Sequence, residues 1–311
     1  MAETEIVWPK KTQEIQNRIC DSTRWNDFKF RDGDIVIASF GKTGSTWTQQ
    51  IVSQLIFNGQ EGIIGAALSP WLDMRPIPFA IVRGILDSQQ HRRFIKTHLP
   101  LHALVFSPKA KYIYVARDPR DVIWSGFNHI SNFTEAGLAE FNANPSLGPP
   151  VGTAAKDPRE FYLEFLSGDG TMGSSLWPMW EHFQGWWDAR HLPNILLVHY
   201  ANLKANLASE IERIARFLEI KIDERLMPQI LAHCEIGYMR NTARSNPMTG
   251  DRLKETFKNG ADTFFNQGTN GRWKDVLSAE EIARCDEVMA QKLTPDCAHW
   301  VKTGELPAGK K

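Results

Sequence analysis

Four cysteines are scattered over the 311 residues (Cys20, Cys234, Cys285, Cys297), and none forms a CxxC pair or a metal-like grouping with histidine. That excludes a disulfide framework and the usual zinc signatures, and isolated free thiols fit a reducing compartment. Net charge is missing as well. Lys plus Arg and Asp plus Glu number 36 each, so no global field draws nucleic acid or a membrane surface. No uninterrupted apolar run reaches the length of a membrane span, and MAETEIVWPKKTQEIQ lacks the apolar centre of a secretory signal. These absences predict a cytoplasmic protein with no membrane span and no nucleic-acid partner, in which any basic site is local.

What is present is apolar bulk: 42% hydrophobic residues and 11 tryptophans, enough for a large core and an apolar pocket besides. DIVIASF (34–40) is a short apolar run bounded by Gly33 and Gly41, the form of a buried parallel strand. TWTQQIVSQLIFNG (46–59) follows with apolar residues at helical spacing. RRFIKTHLP (92–100) predicts a second strand ended by Pro100. AKYIYVARDPRDVIWSGFNHI (110–130) predicts a third strand, a loop at Arg117 to Pro119, and a helix. NILLVHYANL (194–203) reads as a fourth strand and NLASEIERIARFLEI (206–220) as an amphipathic helix. Strands alternating with helices define the fold class: α/β, one domain over 1–311, with a central parallel sheet flanked by helices. Residues 131–175 are rich in Pro, Gly and Ala and predict a mobile surface excursion, either an ordinary insertion or a lid over an acceptor pocket. The polar, glycine-rich tract 246–271 shows little period.

The stretch ASFGKTGSTWTQQ (38–50) carries the chemistry. A Walker A loop needs Gly-x-x-x-x-Gly-Lys-Ser/Thr, and its first glycine would fall at Val36, inside the strand. The ATPase spelling therefore fails. A turn with Gly41 and Gly44 before a helix N-terminus still favours a phosphate or sulfate. Lys42 adds a point charge, and Ser45 and Thr46 can cap the helix or donate to the anion. Arg117, at the end of the third strand, reaches the same crevice because ligands of open parallel sheets gather at strand C-termini. A local ion pair with Asp118 or Asp121 is the competing reading. A P-loop kinase or NTPase is the alternative from another enzyme class, and a catalytically silent nucleotide-binding protein is a third.

In this order, the segments resemble the cytosolic sulfotransferase family, which uses 3′-phosphoadenosine 5′-phosphosulfate (PAPS) and releases PAP. GKTGSTW is similar to the family's 5′-phosphosulfate loop, RDPRDVIWS to its 3′-phosphate motif, and KTHLP to the segment with its catalytic histidine. WEHFQGWWDAR with ILLVHYANLKAN, and GTNGRWK, resemble two further family elements, so the likeness runs from about residue 34 to 285. It implies the P-loop-like sulfotransferase fold. Lys42, Thr43, Gly44, Ser45, Thr46 and Trp47 would hold the 5′-phosphosulfate and adenine region. Arg117 and Ser125 would hold the 3′-phosphate, and Tyr200 would touch the adenine side. His98 would be the base with Lys96 beside the moving group, and Ser125 would retain Lys42 until both substrates are bound.

The departures are local. The family's Arg-Lys-Gly is here Asn266-Gln267-Gly268, and the Asp of its Gly-Asp-Trp-Lys is Arg272, which could swing in to restore the lost charge. Cys234-Glu235-Ile236 replaces an adenine-side Thr-Ser-Phe. The animal enzymes' Lys-x-x-x-Thr-Val-x-x-x-Glu dimer motif lines up with Lys274, Ser278, Ala279 and Ala283, so only its lysine is kept and the oligomeric state is left open.

Sulfuryl transfer demands positioning, charge stabilisation and removal of the acceptor's proton, which a histidine suits near neutral pH. Lys42 and Lys96 can stabilise the charge that builds on the leaving and sulfuryl oxygens. No metal is called for. SPWLDMRP (69–76), Phe79, Phe127, Phe133 and the stretch from Trp177 to Trp187 supply aromatic surface, most of it core and some of it pocket wall. The acceptor expected is a phenol, hydrophobic alcohol, amine or lipid-like glycoside.

Overall fold

The computed structural model describes residues 6–307 apart from 149, 153, 155 and 169–177. Its centre is a four-stranded, all-parallel sheet: β1 (Ile35–Ser39), β2 (Phe94–Thr97), β3 (Lys111–Ala116) and β4 (Ile195–His199), in the order β2-β1-β3-β4. The α/β class read from the sequence is the observed one. Strands covered on both faces need apolar side chains in both directions, which is why these runs do not alternate with polar residues. Val36, Ala38, Ile95, Tyr112 and Tyr114 enter one core, where Tyr114 stacks on Trp186 at 5.0 Å and Trp187 on Trp300 at 5.3 Å. Ile35, Ile37, Phe94, Ile113, Val115 and Val198 enter the other.

The helices that matter for the site are α1 (Ser45–Ile56), α2 (Pro119–Ile130), α3 (Met179–Asp188), α4 (Tyr200–Ala205), α5 (Leu207–Leu218) and α6 (Pro247–Thr256). Each covers the sheet or the cavity with one face. On α5, Ile211, Ile214, Ala215 and Leu218 recur at the helical period and are buried. Asp118 caps α2, accepting from Arg120 N at 2.9 Å, with Pro119 at the first helical position. On α3, Trp180, Trp186 and Trp187 are fully enclosed, so the tryptophans at helical spacing are core; Trp177 lies outside the described residues.

Three elements differ from the sequence expectation. The fourth strand stops at His199, because its Nδ1 accepts from Ala201 N at 3.2 Å and starts α4, where the strand was expected to run on to residue 203. The tract 246–271 is not irregular. Asn246 caps α6 with Pro247 at its first position, and Gly250, Leu253 and Thr256 are buried. The segment 131–175 contains helices at Glu135–Phe141 and Pro158–Ser167, the first pressed against the end of α6. Phe133, Phe141 and Val151 turn toward the cavity, while 149, 153, 155 and 169–175 lie outside the described residues.

At the opposite end of the sheet from the site, Arg93 grips Asp34 with two bonds of 2.8 and 2.5 Å, both side chains buried. Asp34→Ala strands a buried guanidinium and should cost about 3–5 kcal/mol, read as a lower urea midpoint.

Candidate active site

From β1 the chain passes to β2 on one side, and from β3 to β4 on the other, which opens a crevice at the C-terminal ends of β1 and β3. The loop after β1, Arg117 after β3, and Lys96 and His98 at the end of β2 meet there around a cavity of about 850 Å³. Two left-handed residues shape the first loop, Lys42 at φ 69° and Gly44 at φ 115°. A Cβ on Gly44 would sit 2.8 Å from the Tyr200 ring, so both the backbone and the space require glycine. Gly44 is also the N-cap of α1 and brings no side-chain cap, which leaves the first N–H groups of the helix open to an anion. Ser45 and Thr46, expected as possible caps, lie inside that first turn and face the cavity. Thr43 departs from its expected place: it is fully buried, and its hydroxyl donates to Phe40 O at 3.0 Å, closing the loop from behind. Trp47 meets the Tyr200 ring edge-on at 5.4 Å and donates to Cys234 O at 2.8 Å.

The fork of Arg117 is held from the C-terminal segment. Its Nε and Nη2 donate to Asn270 Oδ1 at 3.0 and 2.8 Å, Nη2 also to Thr269 O at 2.9 Å, and the guanidinium lies 4.3 Å over Tyr200. Asp118 is engaged with Arg120 instead. Asp121 stands 4.0 Å from Arg117 and accepts from Gly271 N at 2.7 Å, so no close local ion pair consumes the fork. Tyr200 donates to Gly268 O at 3.2 Å. Asn266, Gln267 and Gly268 all reach the cavity, and Arg240 holds Phe265 O and Asn266 O, each at 2.6 Å. Arg272 also lines it, with its guanidinium 5.6 Å from the Trp124 ring. Ser125 faces the cavity from α2, but the bond of Lys42 goes to His129, one turn further on, with Nζ 3.0 Å from Nδ1. Where Ser125 was expected to hold Lys42, the bond observed is to His129.

At the end of β2, Asp73 is enclosed and accepts from Trp25 Nε1 at 2.8 Å and from Thr97 and Trp71. Burial pushes its carboxyl up to about 6 despite those donors. Trp71 carries the Lys96 ammonium over its ring at 5.0 Å and meets the His98 ring edge-on at 4.5 Å. His98 Nδ1 lies 2.7 Å from Ser39 O, so Nδ1–H donates to the carbonyl and the lone pair rests on Nε2. Burial, then the Lys96 charge, holds this histidine well below its usual range. Lys96 is lowered to about 8 by burial, against the pull of Asp73. Lys42 is lowered to about 7 by burial first, then by Lys96 and Arg117. The crevice therefore gathers positive charge that only an anionic ligand would relieve. Of the aromatic candidates, Trp71 and Phe133 line the cavity, as does Met74 of the same stretch, while Phe79 and Phe127 pack against the core instead.

Sequence reasoning missed His129, Asn270, Arg240 and Asp73. His129 had a findable signal, four residues after Ser125 and hence on the same face of α2. The other three act mainly through contacts more than 20 residues away in sequence, although Asp73 also accepts from nearby Trp71.

A parallel sheet whose glycine-turned anion loop faces two lysines, an arginine and a neutral histidine defines a group-transfer enzyme for an anionic donor. The chain belongs to the sulfotransferase domain family, whose profile matches residues 32–295, and it is a sulfotransferase. A glycolipid sulfotransferase of Mycobacterium bovis (strain BCG / Pasteur 1173P2) is 34% identical over 313 residues, covering 92% of this chain and 93% of that protein. The luciferin sulfotransferase of Photinus pyralis is 30% identical over 286 residues, covering 84% and 71%. Among solved structures, a mouse sulfotransferase complexed with PAP matches with a TM-score of 0.67 at 22% identity, over 90% of this chain and 92% of that one. Among the described residues no helix is long and apolar enough to cross a membrane.

Gly44→Ala forces a Cβ into Tyr200 at a left-handed φ, a strain of about 1–2 kcal/mol before the clash is counted. PAP affinity measured by calorimetry should fall about tenfold or more, and wild-type affinity in this variant would contradict the cradle.

Proposed function

We propose that the enzyme transfers a sulfuryl group from PAPS to a hydroxyl of a small, largely apolar acceptor, with His98 as general base. The observation that carries this reading is the His98 imidazole, fixed by Ser39 O with its basic Nε2 available, in the same cavity as the cationic loop. The residues present fit such a donor: open N–H groups at α1, a glycine that a Cβ would block, and Lys42 and Arg117 converging from neighbouring strand ends. PAPS supplies the sulfuryl group and leaves as PAP.

The chain's own residues do the rest. Lys42 and the α1 N-terminus take the 5′ end, and Trp47 with Tyr200 walls the adenine side. Arg117, with Ser125, Gly268 and Arg272, takes the 3′-phosphate, Arg272 standing in for the family arginine absent at Asn266. His98 accepts the acceptor's proton, and Lys96 faces the sulfuryl oxygens. Charge stabilisation in a cavity this apolar is worth far more than in water, since no solvent reorganises around it.

The walls on the acceptor side are Ile19, Trp71, Met74, Ile77, Phe133 and Phe141. Glu235 is the one carboxylate among the described lining residues, and it sits beside Cys234 on the donor side. An ammonium thus finds no partner near His98, which favours a hydroxyl over an amine. The apolar walls suit a phenol, alcohol or lipid-like glycoside, in keeping with a relative named for glycolipids. Lys42, Lys96 and His98 standing together argue for turnover over silent PAP binding. The chain is read as one domain, and its four buried free cysteines support a cytoplasmic setting.

Calorimetry with PAP, ATP and GTP, with and without Mg²⁺, followed by PAPS turnover, tests the reading. Metal-independent PAP binding plus transfer is expected, and selective ATP–Mg²⁺ binding would overturn it. His98→Ala should lower transfer by about 10²-fold or more, the scale of general base catalysis, and leave PAP affinity within about twofold.

Lys42 has its own pH signature. In the free enzyme it titrates at about 7, and a bound anion raises that value. Binding therefore takes up a proton above pH 7, so PAP affinity should fall up to about tenfold per pH unit there and level off below. Heats measured in buffers of different ionisation enthalpy should reveal this uptake, and Lys42→Met should abolish it.

A further inference from the structure

Beyond its bond to Lys42, His129 has no part in the donor and base roles given above, yet it lines the same cavity. Its ring lines the cavity from α2 among Phe133, Phe257 and Phe264, with centroids at 5.1, 4.8 and 6.3 Å. Nδ1 is 3.0 Å from Lys42 Nζ. With an anionic donor bound, Lys42 is charged and can only donate, so Nδ1 accepts and the one proton of the neutral ring is on Nε2. Burial first, then the charges of Lys42 and Lys96, holds the ring well below the usual histidine range and so keeps it neutral. The Lys42 ammonium has three N–H donors, so bonding to Nδ1 leaves two for a donor's oxygens.

Nε2–H has no partner among the described residues, whereas two polar side chains of the same cavity are already engaged. Thr256 Oγ1 donates to Arg252 O at 2.9 Å, and Asn128 Nδ2 to Trp124 O at 2.9 Å. A lone donor in an aromatic wall is penalised when an entirely apolar molecule covers it and rewarded when an oxygen meets it.

We propose that His129 is a specificity-determining residue whose Nε2–H, oriented through Nδ1 by Lys42, hydrogen-bonds a second oxygen of the acceptor. The preferred acceptor is then an apolar molecule carrying a further hydroxyl or ether oxygen besides the hydroxyl that is sulfated. This rests on the hydroxyl-acceptor reading and narrows it.

Two probes with the same tail separate the cases: octan-1-ol, with a single oxygen, and octyl β-D-glucoside, with several. The wild type should favour the glucoside in kcat/KM. His129→Phe keeps a ring among the phenylalanines and should cut that preference about tenfold, mainly through KM, the cost of one hydrogen bond in such a site. His129→Gln, which retains an N–H donor, should restore it to within about threefold of the wild type. An unchanged preference in His129→Phe, or a wild type that favours octanol, would overturn the proposal alone. Turnover on neither probe with PAP binding intact would remove the hydroxyl reading and this inference with it. Should His129→Phe fail to fold, ¹⁵N spectra of wild-type imidazoles replace it: octyl glucoside added to the PAP complex must shift the His129 Nε2 resonance, and no shift would overturn the assignment.

Discussion

The desolvation of Lys42 and Lys96 is the constraint on which the rest of the site depends. Two ammonium groups and the Arg117 guanidinium share one crevice, while the enclosed carboxylate, Asp73, is itself raised to about 6 and answers them only in part. Such an arrangement is expensive unless a ligand of opposite charge completes it. The β2-β1-β3-β4 order brings the three cations together, because the crevice opens where the connections diverge. The donor-free protein tolerates them through neutral devices: a histidine acceptor for Lys42, aromatic faces for Lys96 and Arg117, and a side-chain amide oxygen for the Arg117 fork. Each leaves charge free for an anion.

How much of this could be read from the sequence follows from how local each cause is. β1, β3 and the start of α2 were legible because apolar runs ended by Gly41 or by Asp118-Pro119 fix the chain direction within a few residues. Lys42, Gly44, Arg117 and His98 were legible because each sits at such an ending. The end of β4 was not, since a single side-chain bond from His199 turns an apolar run into a helix. α6 was missed because its buried face is short and includes Gly250 and Thr256, which carry no hydrophobic signal. The Ser125 tether failed for a different reason. Spacing put Ser125 on the correct face of α2, but which residue of that face meets the lysine depends on reach, and His129 reaches it.

Seven of the tryptophans divide the same way. Trp180, Trp186, Trp187 and Trp300 fill the core beneath β3, while Trp47, Trp71 and Trp124 face the cavity. Sequence counts alone could not divide them, because a helix buried all round and a helix beside a pocket show the same spacing. The division matters for chemistry, since Trp71 links the Asp73 carboxylate to both Lys96 and His98. A residue that looks like pocket lining is therefore also what holds the end of β2 in order.

One physical cause then serves three tasks. Enclosure in apolar walls lowers the lysines, which readies them to gain charge as an anion arrives. It keeps His98 uncharged, the form a general base requires. It also leaves His129 neutral, with Nδ1 on Lys42 in a ring that lines the cavity. A wetter site would weaken all three together, because water would solvate the ammonium groups, protonate the imidazoles more readily and compete for the free N–H. The apolar lining is therefore part of what tunes the charged groups of the site, and under the proposed mechanism a substitution that hydrates it should impair donor binding, proton acceptance and acceptor choice at once.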